Sequence, residues 1–172
     1  MITRRQIRIR VMQAIYAMYS QDEPLAASVF DQLLKDYETE IRESEKSKDD
    51  DGDSRLLHTL YYDTIKNRLE YDQLILGKAQ NWKLDRIAMV DRILLQMGIS
   101  EMIEFEEIPV KVSINEYLEI AKKYSTPKSS KFINGILDTL HGELIQNGRI
   151  KKTGRGLLDY PGRSEAGEGS SW

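Results

Sequence analysis

The sequence predicts an all-α protein, a helical bundle of about six to seven helices. Three observations carry that expectation. Apolar residues recur at helical spacing along most of the chain, and no stretch alternates convincingly with period two. Helix start and stop signals, such as an N-cap residue followed by proline, punctuate the segments between. The 172 residues, 40% hydrophobic and 31% charged, suffice for one globular core with some length left for a tail.

The first predicted helix covers residues 3–20. Its apolar positions form two adjoining stripes, Ile7/Val11/Ile15/Met18 and Ile9/Met12/Tyr16/Tyr19, so it packs on much of its circumference. Pro24 suits the first turn of a second helix that runs to about Arg42. Residues 44–53 read as a solvated acidic linker with no apolar side chain to bury. A third helix is expected over 54–80, with Leu57, Leu60, Tyr61, Ile65, Leu69 and Leu76 inward. Asp85 has the place of an N-cap, with Leu84 and Met89 at the spacing of a hydrophobic staple. The helix it opens is rich in apolar residues through Met102, as a central helix is. Pro109 marks a fifth helix that ends near Tyr124. Thr126-Pro127 opens a sixth, which Asn147-Gly148 closes. The predicted division is a helical domain over 1–148 and a flexible tail over 149–172, aperiodic and rich in Gly, Ser and Glu.

Composition narrows the function. Without cysteine there is no disulfide, thiol catalysis or cysteine-ligated zinc. His58 and His141 are far apart and have no acidic partner at ligand spacing, so neither a metal nor a cofactor is expected. Gly154-Arg155-Gly156 does not follow a strand and is no phosphate loop. Nothing assembles a nucleophile, a base and an oxyanion site, so no enzyme is expected. The amino terminus lacks the unbroken apolar run of a signal peptide, and no segment is long enough to span a membrane. A soluble, cytoplasmic protein is expected.

Charge is uneven. The net value is −3, yet the first 21 residues hold arginines and no acids, while acids dominate 31–53. On a helix, Arg4, Arg5 and Arg8 fall within an arc of about 100°. No carboxylate neighbours them in sequence, so their guanidiniums are expected to stay available for phosphates. The bland alternative is a solvated helix end whose long side chains cover apolar surface. A second signal lies in the sixth helix. Phe132 stands at the edge of the stripe Ile133/Ile136/Leu137/Leu140/Leu144, beside Lys128 and Lys131. Such an aromatic either stacks an unpaired base or simply widens the core face.

Arg4-Arg5-Gln6-Ile7-Arg8, followed by Val11-Met12-Gln13-Ala14-Ile15-Tyr16, resembles the arginine-rich opening of the NusB family. Pro109-Val110-Lys111-Val112-Ser113-Ile114-Asn115-Glu116 resembles that family's P-x-K-V-x-I-N-E stretch. Lys131-Phe132-Ile133-Asn134-Gly135-Ile136-Leu137-Asp138 resembles its K-F-V-N-G-V-L-D signature. Three motifs in order are far more specific than one. The resemblance implies a two-lobed, all-helical fold and a transcription antitermination factor. Such a factor binds boxA-type single-stranded RNA of ribosomal RNA leader transcripts, jointly with the small-subunit ribosomal protein NusE. It works within the RNA polymerase antitermination complex and supports ribosomal RNA synthesis. Position by position, it implies RNA contacts at Arg4, Arg5 and Arg8, with Tyr16 in the same helix, and a second patch at Lys131 and Phe132. Asp85 and Asp91 occupy positions where the family often has glutamates near its partner and RNA surfaces. Gln6 stands where another arginine is common. Lys128 stands where an acid is common, a swap that suits phosphate binding. The alternatives are a protein–protein scaffold of the same fold, or a homodimer, without direct RNA contact.

Overall fold

In the computed structural model, residues 2–20, 23–43, 50–80 and 83–158 are described. They form seven α-helices and, among the described residues, no strand. Helices α1 (Arg4–Ser20), α2 (Glu23–Glu43) and α3 (Asp50–Lys66) make the amino-terminal lobe, in which α1 packs on both others. Helices α4 (Arg68–Lys78), α5 (Met89–Glu104), α6 (Val110–Tyr124) and α7 (Ser129–Gln146) make the carboxy-terminal lobe. Helix α5 joins the lobes, because it packs on α1 and α3 as well as on α4, α6 and α7.

That central role follows from composition. Every residue from Ile93 to Met102 is buried, as expected for a helix that is apolar nearly all round. The polar residues on it are therefore matched. Gln96 Nε2 donates to Asp72 Oδ1 (2.8 Å), and the Tyr19 hydroxyl donates to Gln96 Oε1 (2.7 Å). Arg92 holds Asp72 through both carboxylate oxygens, at 3.0 and 2.5 Å. Gly98 lets α7 come close, since a Cβ there would lie 3.0 Å from Leu137 Cδ1.

Several boundaries differ from the sequence reading. The acidic stretch is not linker to its end, because α3 begins at Asp50; residues 44–49 lie outside the described residues. Acids in a first turn complement the helix dipole, so the absence of apolar residues does not preclude a helix there. The single helix expected over 54–80 is broken at Asn67. Its side-chain amide donates to the Asp63 carbonyl (3.2 Å) and to Asp63 Oδ1 (2.7 Å), while Tyr71 and Ser100 donate to Asp63 Oδ2 at 2.7 and 2.6 Å. This side-chain knot competes with the regular ladder. Leu69, just past the break, is 70% exposed instead of inward. Asp85 caps no α-helix: it sits exposed in a 3-10 turn, Leu84–Arg86, and α5 starts three residues after that turn.

Helix α7 ends as expected, with Gly148 in the left-handed region at φ 75°. Beyond it the chain does not leave the body at 149. Ile150 and Lys152 are buried, and Thr153 N–H donates to the Glu106 carbonyl (3.0 Å). Residues 154–157 form a 3-10 turn in which Gly156 is pressed on that same carbonyl; a Cβ on Gly156 would lie 1.8 Å from Glu106 O. The expected flexible tail is therefore a docked segment as far as 158, and residues 159–172 lie outside the described residues.

Candidate nucleic-acid interface

Helix α1 runs antiparallel to α5. Arg8 meets Glu101 near one end, and at the other Tyr19 meets Gln96 and Ser20 meets Met89. Its amino-terminal end also reaches α6, and this contact decides what the arginines do. Arg5 is 48% exposed and grips Glu116 of α6 twice, Nε to Oε2 at 2.8 Å and Nη2 to Oε1 at 2.9 Å. The hydrogen bond from Arg5 holds the Glu116 carboxyl below its ordinary range. Arg4 is 42% exposed and donates from Nε to Asp53 of α3 (3.0 Å).

Arg8 corrects the sequence reading. Only 3% of its side chain is exposed, and it grips Glu101, which is fully buried, at 2.8 and 2.6 Å. Glu101 also accepts hydrogen bonds from Ser113 (2.8 Å) and Tyr117 (2.6 Å). Burial alone would raise the Glu101 carboxyl, but Arg8 and the two hydroxyls outweigh it and hold the group below its ordinary range. A guanidinium so enclosed is not available to a phosphate. Its partner lies 93 residues away in sequence, out of reach of any inspection of neighbouring residues.

Asp91 is corrected in the same way. It is 6% exposed, and accepts from Ser125 Oγ (2.5 Å) and Ser129 Oγ (2.8 Å). It sits in the first turn of α5, where an anion complements the dipole, and it ties the α6–α7 turn to α5. No partner can reach it without opening that turn. Asp85, by contrast, is exposed.

Lys128 and Lys131, at the start of α7, are both exposed. Phe132 is half-buried and packs on the core while keeping part of its surface in solvent. Ser130 donates to the Leu118 carbonyl (3.3 Å), which fixes this end of α7 against α6. Helix α6 thus lies between the arginine end of α1 and the Lys131–Phe132 patch. Tyr16, 45% exposed, lies in the half of α1 that runs toward the start of α5, the place where Asp91 holds the α6–α7 turn.

Two lysines that the sequence does not single out lie beside the arginine end of α1. Lys122 and Lys123 of α6 line a groove of about 450 Å³ together with Arg5, Gln6 and Ile9. In sequence they look like an ordinary basic helix end, which the dipole favours anyway. A second cleft, about 630 Å³, opens on the other side of Arg5 and includes Arg155.

A NusB family model matches residues 5–141. A transcription antitermination protein NusB from Chloroherpeton thalassium is 40% identical over 164 residues, covering 95% of this chain and 73% of that protein. The protein of the same name from Salinibacter ruber is 39% identical over 158 residues, covering 92% of each. Among solved structures, NusB from T. maritima superposes with a TM-score of 0.66 at 28% identity, over 83% of this chain and 92% of that one. The seven-helix fold, the three sequence motifs and these likenesses agree: the chain belongs to the NusB family.

Proposed function

We propose that this protein is a transcription antitermination factor that acts by binding RNA and has no catalytic role. It recognises boxA-type single-stranded RNA of ribosomal RNA leader transcripts, jointly with NusE, within the RNA polymerase antitermination complex of the cytoplasm. The observation that supports this most is the groove in which Arg5 of α1 meets Lys122 and Lys123 of α6, three cations to one carboxylate, Glu119, on the helix that also holds the α7 start carrying Lys128, Lys131 and Phe132.

Phosphates supply affinity and bases supply selectivity. Arg5 is already oriented by Glu116, so it meets a phosphate from a fixed position, and α6 backs the track rigidly. Phe132 offers a ring face at the rim on which an unstacked base lies. The names of the relatives from Chloroherpeton thalassium and Salinibacter ruber support the antitermination role. Asp85, exposed beside the start of α5, is the position we assign to the protein partner.

The test is a titration of boxA-type RNA with and without NusE, on the parent and on Arg5→Glu. Charge reversal at Arg5 should abolish RNA binding, and NusE should tighten the parent's binding. RNA affinity indifferent to Arg5→Glu would favour a scaffold acting without RNA.

A further inference from the structure

The 630 Å³ cleft has a wall that the family resemblance does not touch. One side is the head of α1 with Arg4 and Arg5, and the opposite side is the start of α6 with Pro109 and Val112. The remaining wall is the docked segment, through Arg155 and Leu158. We propose that this cleft is a subsite for one unstacked nucleotide of single-stranded RNA, with Arg155 on its phosphate and Val112 and Leu158 against its base. It rests on the proposed RNA-binding function and extends it to residues 150–158.

Charge argues for an anion here. The two carboxylates that line the cleft are already engaged, Glu116 by Arg5 and Glu107 by Arg55 (2.7 Å), against the arginines of α1 and Arg155. Arg155 lines the same cleft, and among the described residues no ion pair engages it. The apolar part argues for a base. Val112 is 46% exposed and Leu158 52%, an unusual amount for aliphatic side chains lining the same cleft. An acidic peptide would match the arginine, but its carboxylates would leave those two side chains uncovered. A nucleotide offers both a π-face and a phosphate.

The wall is held firmly enough to act as a site. Lys152 Nζ donates to the Phe105 carbonyl (2.7 Å), Thr153 N–H donates to the Glu106 carbonyl, and Gly156 fits against that carbonyl where no Cβ would. The same fit provides a way to remove the wall without touching either proposed contact. Gly156→Ala forces the turn off Glu106 while the seven helices stay in place.

The experiment uses the full chain and a short single-stranded RNA carrying a boxA-type sequence, titrated over a range of salt. Arg155→Ala should weaken binding several-fold and lower the slope of log K on log salt by about 0.7, one single-strand phosphate contact. Leu158→Ser should weaken binding with the slope unchanged. Gly156→Ala should combine both losses, with the helical circular dichroism of the parent. If Arg5→Glu abolishes binding while Arg155→Ala, Leu158→Ser and Gly156→Ala all match the parent, the subsite is refuted and the wider RNA reading survives. If all four variants bind like the parent, both fall. A glutamate-rich peptide whose binding depends on Arg155, alongside RNA binding that does not, would also overturn the proposal in favour of a peptide site.

Discussion

Arg5 and Arg8 stand one turn apart on α1, and each is gripped at two points by a glutamate of the carboxy-terminal lobe. The chemistry is the same and the surroundings are opposite. Arg5 and Glu116 are 48% and 21% exposed; Arg8 and Glu101 are 3% and 0%. Solvent screens the first pair and permits a phosphate to compete for the guanidinium. Around the second there is no water to replace the partner, so the pair must stay closed for the charges to be tolerated at all. One face of a helix thus presents charge, and the adjoining face uses the same residue type to lock two lobes together.

The largest expected effect comes from breaking the closed pair. Arg8→Ala leaves Glu101 buried without its cation and should cost about 3–5 kcal/mol, read by denaturant unfolding. Arg5→Ala should stay within about 0.5 kcal/mol in the same measurement. Equal losses at the two positions would dissolve the contrast. Acid should separate them too. The folded Glu101 carboxyl lies below its ordinary 4.5, so the stability it contributes is present above that value and is lost as pH falls through the folded one. A pH titration of stability on the parent and on the double variant Arg8→Met, Glu101→Met isolates that contribution.

Next in size is Phe132, which shares both characters. Alanine there should cost about 1–3 kcal/mol of RNA binding per stacked base. Its stability cost should fall short of the roughly 3–5 kcal/mol of a fully buried phenylalanine. Tyrosine should keep binding, and leucine should keep packing while losing the stack. If Phe132→Leu binds boxA-type RNA as well as the parent, stacking is not its task.

The narrowest effect, confined to alkaline pH, is at Lys152, a buried cation with no bidentate partner. Burial pushes its ammonium down to about 8 from the ordinary 10.5, against the pull of Glu101, Glu107 and Glu106. The unfolded chain therefore binds more protons between those values, and stability should rise with pH across that window. The raised hydroxyls of Tyr71 and Tyr117 act oppositely at higher pH, so the quantity to follow is the difference between the parent and Lys152→Met. A flat difference curve from pH 8 to 10.5 would mean the ammonium is well solvated.

How much the sequence disclosed depends on the range of the interaction. Helical periodicity and the Asn147-Gly148 stop are local, and they locate α1, α6 and α7 closely. The break at Asn67 is hidden because it depends on Asp63, Tyr71 and Ser100 meeting in space. The exposed arginines Arg4 and Arg5 are visible from their spacing. Whether Arg8 joins them is not, since Glu101 reaches it from a helix far along the chain, and Ser113 and Tyr117 hold Glu101 from another. Asp91 misleads for a related reason, because its serine partners lie 34 and 38 residues on. The docked segment looks like tail because it is held by one buried isoleucine, a lysine on a carbonyl, backbone contacts and one close glycine, which leave no apolar period.

The tie between Asp91 and the two serines bears on how quickly this protein can capture a ligand. A turn that had to be ordered during binding would cost conformational entropy at the moment of encounter and slow association. Here the α6–α7 turn is already clamped to the most buried helix of the fold, and Lys128, Lys131 and Phe132 start from that clamp. Capture at this patch should therefore be limited by diffusion and electrostatic steering, with salt acting on the association rate constant more than on the lifetime of the complex.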